Sequence, residues 1–363
     1  MTISPSPYFS SSYSEARQKF LTLAERCGAT LDHRLNPKAK GPSGEDLYTD
    51  VALIGPRDAE KFLVIISGTH GNEGFCGSGC QIGYLEEGWH EKRAQDTALL
   101  FIHAINPYGF AHVRRVTEDN VDINRNFVDH DAPYPHNDAY EKIHEFAVPK
   151  EWANGGVETA NKQLAIFGAE HGPMELQRAL SGGQYAYPNG IFFGGNAPTW
   201  SNLTLRAIID DYLMGAKHVA QIDFHTGLGP NGHGELILSG PYDETFKRAS
   251  SWYEDQVTSI EDGSSTSAKL TGMNFFAFTD AMPAQNYTGI AVEYGTYDTA
   301  TVLQAMRFDN WINQYETPGT ELWNEGKKAI RDALYCDNDE WKAKIWSRAE
   351  WVLDHCYKGL ASL

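Results

Sequence analysis

"KFLVIISGTHGNEGFCGSG", Lys61 to Gly79, joins two kinds of sequence within one short stretch. Its first part is an unbroken apolar run and reads as a buried strand. Its second part is made of small residues and opens a helix expected from Glu73 to Glu87. His70 and Glu73 stand at the junction, three positions apart, a spacing at which both side chains can meet one point. A metal ion is one such point, since zinc hydrolases commonly use two His and one Glu and leave a fourth position for water. The alternative is that Glu73 complements the helix dipole in the first turn while His70 satisfies a backbone group. The small residues around the pair leave the backbone uncovered, so that another chain or a substrate can approach.

Outward from this stretch, strands and helices alternate. An amphipathic helix is expected over 14–27, strands over 47–55, 61–68 and 97–106, and a helix over 201–216. "HVAQIDFHTG" and "GELILSG" read as strands, 242–259 as a helix and "EDGSSTSA" as a surface loop. A late strand over 288–296 precedes helical patterns over 299–335, with breaks, and 339–358. The pattern predicts an α/β fold: a single domain over 1–363 with a central mixed, largely parallel sheet flanked by helices. Between 128 and 200 Pro, Gly and His interrupt the periodicity, with helical patches near 138–148 and 156–169. This segment reads as an insertion that shapes a substrate pocket rather than a separate domain. Ligands of such sheets bind at the carboxyl ends of the strands, which puts "GTH", "DFHTG" and "EYGT" on one rim.

Composition narrows the partners. A net charge of -18, from 30 basic against 48 acidic residues, repels nucleic acid and anionic membrane, which need a basic footprint. No apolar stretch nears the roughly 20 residues of a membrane span, and the first residues lack the pattern of a secretory signal. Five scattered cysteines make no paired framework and fit a reducing, cytoplasmic compartment. Cys76 and Cys80 follow Glu73 at helical spacing and read as small residues packing that helix against the sheet.

Three further stretches carry chemistry. "QIDFHTGLGP" ends a strand on His225 and continues into a Gly-rich turn, Gly227 to Pro230, expected to expose it. "NPYGFAHVRRVTEDNVDINRNF", Asn106 to Phe127, places Arg114, Arg115, Asn124 and Arg125 in an otherwise acidic protein. Guanidinium forks bind carboxylates and stabilise oxyanions, although an Arg-Arg pair also suits a solvated patch. "GIAVEYGT" sets Glu293 at the end of an apolar strand, where desolvation raises a carboxyl pKa toward the range of a general base. Pairing with an arginine to hold the strand end is the other role open to it.

With these motifs in order, the chain resembles the zinc carboxypeptidase (M14) family, in a bacterial, cytoplasmic-type, DUF2817-like branch. The resemblance rests on "HGNE", "NPYGF", "VDINRNF", "DFHTG" and "EYGT" and spans roughly residues 49 to 297. It implies a carboxypeptidase-like (phosphorylase/hydrolase-like) fold and one zinc ion held by His70, Glu73 and His225. It further implies Glu293 as general base, Asn124 and Arg125 on a terminal carboxylate of the substrate, Arg115 on the oxyanion, and Asp122 orienting His70. The family's substrate-closing tyrosine has no counterpart, because Tyr287 and Tyr294 lie too close to Glu293. The compressed spacing before Asn124 also leaves Arg114 open as the oxyanion residue.

The resemblance implies a metallocarboxypeptidase acting on a small peptide with a free carboxylate. An N-acyl amino acid amidohydrolase, similar to aspartoacylase and succinylglutamate desuccinylase, would use the same residues. A non-catalytic binding protein on the same scaffold is the third reading, against which all five motifs stand intact.

Overall fold

The computed structural model describes residues 4–363. Its first half runs α1 (Tyr13–Arg26), β1 (Thr30–Lys40), β2 (Asp46–Ile54), β3 (Lys61–Ile66), α2 (Gly74–Glu86), β4 (Thr97–His103) and α3 (Pro107–Ala111). Then come α4 (Asp138–Ala147), α5 (Gly156–His171), α6 (Pro173–Ser181) and α7 (Trp200–Leu213). The second half runs β5 (His218–Asn231), β6 (Gly234–Leu238), α8 (Tyr242–Trp252), β7 (Val257–Thr258), α9 (Phe276–Ala281) and β8 (Tyr287–Gly295). It closes with α10 (Thr299–Tyr315), α11 (Glu321–Leu334) and α12 (Asp339–Ala361). Ser12, Asn137, Thr199, Asp298, Thr320 and Asn338 each start a helix by accepting the backbone N–H three residues on.

All eight strands form one sheet in the order β1-β2-β4-β3-β5-β8-β6-β7. β4, β3, β5 and β8 are parallel neighbours at its centre. β2 joins β4 antiparallel, β1 joins β2 antiparallel, and β6 joins β8 antiparallel with β7 parallel beside it. The sheet is therefore mixed and largely parallel, as its sequence predicts. Helices bury both faces, which explains the unbroken apolar run of β3. Leu63 and Ile65 pack in a core with Phe75, Phe20 and the Trp341 and Trp346 of α12. Phe62, Val64 and Ile66 point the other way, into a core with Leu205, Ile209 and Phe278. Cys76 and Cys80 are fully buried in the first core, as expected of packing residues. Among the described residues no helix is long and apolar enough to cross a membrane.

Four elements differ from expectation. β1 is not anticipated because it is a polar edge strand: its sole fully buried side chain is Asn36, so it carries no apolar alternation. The helix expected over 242–259 stops at Trp252, and β7 occupies part of the remainder. The stretch 227–230 is not a turn that exposes His225. β5 continues through it to Asn231, with an irregular register against β8 after Thr226, and His225 is buried. Segment 128–200 is richer in structure than its interrupted periodicity indicates. It holds α4, α5 and α6 around a core of Tyr140, Ile143, Leu164 and Leu180, with Leu303 and Met306 of α10 packed against it.

Candidate metal centre and active site

β3 ends at Ile66, and the chain turns through Gly68, at φ 65°, to deliver His70 and then the single turn Gly71–Glu73 that starts α2. Two backbone hydrogen bonds fix this loop: Gly71 N–H donates to the carbonyl of Arg115 at 3.1 Å and Asn72 N–H to that of Arg114 at 3.0 Å. A β-carbon on Gly71 would lie 2.0 Å from the Gly109 backbone, so the close approach admits only glycine. On the neighbouring strand β5, register pairs His225 directly with Glu293 of β8, the next strand out.

The three side chains converge. His70 Nδ1 lies 3.0 Å from Glu73 Oε1, His225 Nδ1 lies 3.2 Å from Glu73 Oε2, and the two Nδ1 atoms are 3.3 Å apart. Three donors on a tetrahedron around zinc, at bonds of about 2.05 Å, stand about 3.3 Å from one another. The donor types fit a zinc ion, and the observed spacings are close to that figure, the two to Glu73 being made by its separate oxygens. The far side of each ring fits too: His70 Nε2 lies 3.2 Å from Asp122 and His225 Nε2 lies 2.9 Å from Asp223. A carboxylate at Nε2 fixes that nitrogen as N–H and leaves the Nδ1 lone pair toward the shared point. His70 has a competing partner, because Arg115 Nη2 lies 2.8 Å from the same Nε2 and can only donate. The two contacts call for opposite tautomers, and an ion at Nδ1 selects the one with Asp122.

Burial disfavours a charge on Glu73, yet His70, His225 and Arg115 outweigh it and hold its carboxyl below the usual carboxylate range. Glu293 behaves in the opposite way. Burial first, and the charge of Glu73 second, push it up to about 8, against the pull of His225, Arg115 and a 3.1 Å hydrogen bond from Leu228 N–H. Two neighbouring carboxyl groups, one buried and one half-buried, thus have opposed proton affinities within one site.

His70, His225, Glu293, Arg115, Asn124 and Arg125 line a single cavity of about 460 Å³. Arg115 is turned toward the proposed ligands: Nη1 donates to Glu73 at 2.9 Å and Nε to Asp122 at 3.0 Å. Arg114 does not reach the cavity. It lies buried against Asp309 at 3.3 Å and Asn120 at 3.0 Å, whereas Arg115 lines the cavity. Arg125 donates from Nε and Nη2 to the carbonyl of Ser181 and from Nη1 to that of Asn124. Among the described residues it has no carboxylate at salt-bridge distance, and burial lowers its proton affinity. A guanidinium has five N–H groups, so two remain for a ligand. Asn124 Oδ1 accepts the backbone N–H of Asn274 at 2.8 Å, and among the described residues its amide N–H groups have no hydrogen-bond partner.

Several contributors are not evident from the sequence. Asp223 is one, although its place two residues before His225 on the same strand puts it on the same face. Phe192 is another. It has a left-handed backbone, at φ 52°, and its ring lies 5.2 Å from the Arg115 guanidinium and 5.5 Å from that of Arg125. Ile237, Leu270, Met273 and Ala291 give the cavity an apolar wall, and Leu176 and Leu180 of α6 give it another. No tyrosine is among the lining residues. The hydroxyl of Tyr287 is bound to Gln221 and that of Tyr294 to the carbonyl of Ile345, both in the core. A second trio of metal-binding type, His136, Asp138 and Glu141, lies exposed at the start of α4.

No curated protein matches the chain. Among solved structures it is similar to a carboxypeptidase A from Helicoverpa armigera, with 12% identity, 94% of this chain and 73% of that one covered, and a TM-score of 0.47. It is also similar to a metallo-carboxypeptidase from Burkholderia cenocepacia, with 14% identity, coverage of 96% and 70%, and a TM-score of 0.43. A succinylglutamate desuccinylase from Chromobacterium violaceum is a third, with 15% identity, coverage of 87% and 73%, and a TM-score of 0.36. The family model described as "Protein of unknown function (DUF2817)" matches residues 9–348. That match takes in both histidines, both glutamates and the arginines of the cavity, and the chain belongs to the DUF2817 family.

Proposed function

We propose that this protein is a zinc-dependent hydrolase that cleaves an amide bond next to a free carboxylate, acting as a metallocarboxypeptidase on a terminal residue with an apolar side chain. The observation that carries the reading is the convergence of His70, Glu73 and His225 at 3.0 to 3.3 Å, with Glu293 lining the same cavity. Zinc bound by three side chains polarises a carbonyl and brings the pKa of a water to about 7.

The remaining work falls to the chain. Glu293, half-buried at the cavity wall and high in proton affinity, takes a proton from the attacking water and returns it to the departing nitrogen. The two free N–H groups of Arg125 and the amide of Asn124 grip the substrate carboxylate, which then supplies the counter-charge Arg125 lacks. Arg115 serves the oxyanion from beside Glu73. Ile237, Leu270 and Met273, which carry no charge, receive the side chain of the residue released. Segment 128–200 is read as the insertion that shapes this pocket, supported by Leu176, Leu180, Ser181 and Phe192 in its wall.

A second reading, an N-acyl amino acid amidohydrolase, is favoured by the cavity's volume of about 460 Å³, at the small end of ligand pockets. One assay separates the readings. Protein purified without added zinc is analysed for metal, then incubated with peptides and N-acyl amino acids, with and without a chelator. Chelator-sensitive release of a terminal apolar amino acid from peptides supports the carboxypeptidase, and cleavage confined to acyl amino acids supports the amidohydrolase. One equivalent of metal with no hydrolysis of either would falsify both in favour of a binding protein.

A further inference from the structure

The geometry points to Asn274 as a positioning residue that ties the proposed zinc ligand His225 to the carboxylate-binding Asn124, an inference that rests on the metal centre proposed above. Asn274 lies just before α9, a region whose sequence offers no chemical motif. It is nonetheless buried and lines the catalytic cavity. Its backbone N–H donates to Asn124 Oδ1 at 2.8 Å, which sets the orientation of that amide. Its side-chain Nδ2 donates to Asp223 Oδ2 at 2.6 Å and approaches Thr69 Oγ1 at 3.4 Å.

Asp223 is the point at which this link acts. It is buried, no lysine or arginine lies within salt-bridge distance of it among the described residues, and it also meets His225 Nε2 at 2.9 Å. Its other donors are the Thr69 hydroxyl, at 2.9 Å, and Asn274, whose contact is the shorter. A carboxylate that orients a metal-bound imidazole is effective only if its own rotamer is fixed. Asn274 provides that fixing and, through a different atom, sets Asn124. Among the described residues its side chain has no other hydrogen-bonded partner, so its side-chain polar contacts all belong to the site.

The test separates donor chemistry from packing. Asn274→Asp keeps the shape and replaces the amide donor with a second carboxylate facing Asp223. Asn274→Ala removes the donor outright. Zinc affinity is measured on the full chain by competition with a chromophoric chelator. Thermal unfolding of the metal-free proteins serves as control, and the visible spectrum of the cobalt(II) form reports ligand geometry. Loss of an outer partner of a metal-bound His costs about 10- to 100-fold in metal affinity. We expect Asn274→Asp to weaken zinc by at least about tenfold and Asn274→Ala by about three- to tenfold, with altered cobalt spectra. Zinc affinity within twofold of the parent in both variants, with unchanged cobalt spectra, overturns the role of Asn274 alone. A parent protein that binds no zinc overturns the metal centre and this inference together.

Discussion

At the scale of single residues, the site divides its labour by environment. Glu73 is buried and Glu293 half-buried, and one sits among cationic groups while the other faces an apolar wall and a like charge. Glu293→Gln is expected to keep one equivalent of zinc and lose about 10² to 10⁴ in kcat, read by metal analysis beside steady-state kinetics. Normal turnover would mean the proton is taken elsewhere. Arg125→Ala is expected to raise KM about 10- to 100-fold for substrates with a free carboxylate, the span of a charged hydrogen bond. Amidated substrates should be unaffected, so the ratio of the two kcat/KM values is the measurement. His70, Glu73, His225 and Glu293 could be read from the chain because each is a polar residue at the end of an apolar run. Phe192 and Asn274 could not, since nothing local marks them and their importance comes from what the fold sets beside them.

At the scale of elements, the ligand loop depends on how closely backbones meet. Gly71 rests on Gly109, Gly74 on the ring of Phe110, and Gly77 on Ser67 and Phe224. Gly71→Ala pushes a β-carbon into backbone that cannot yield as a side chain would. It is expected to cost about 2 to 4 kcal/mol in urea unfolding and to weaken zinc binding at least tenfold. The small residues after β3 were legible as a demand for close approach, whereas their partner at Gly109 was not. Strands β2 to β6 and β8 could be found because burial on one or both faces writes an apolar signature. β1 has none, being an edge that meets water with His33, Arg34 and Lys38. The stretch 261–268 was legible as a polar loop, but not as a pocket wall. Ser267 and Ala268 reach the cavity because Glu235, beside Glu293 in the sheet, accepts the N–H of Thr266 at 3.1 Å.

At the scale of the whole molecule, acid is a predicted weakness. His103 of β4 is fully buried, with Nε2 at 2.9 Å from Ser78 Oγ and Nδ1 without a partner, and burial lowers its pKa to about 4. In the unfolded chain the same ring titrates near about 6.5. Above pH 6.5 both states hold it neutral and its contribution is fully present; as pH falls from 6.5 toward 4 the unfolded state gains a proton the folded state refuses. The contribution of His103 to stability in urea should therefore decline across that window, and His103→Gln should remove that part of the pH dependence at a cost of about 1 kcal/mol at pH 8. An unchanged pH slope in the variant would assign the acid sensitivity to other groups.

The strand order adds a consequence for synthesis. β5 and β6 follow one another in the chain, but β8 lies between them in the sheet. As the polypeptide leaves the ribosome, at roughly 5 to 20 residues per second, both strands emerge seconds before the one that separates them. During that interval each has an open hydrogen-bonding edge, and zipping directly to the other would shut out the strand bearing Glu293. A nascent chain of this topology therefore has to be kept from closing early, and a chaperone that holds extended segments apart would raise its yield.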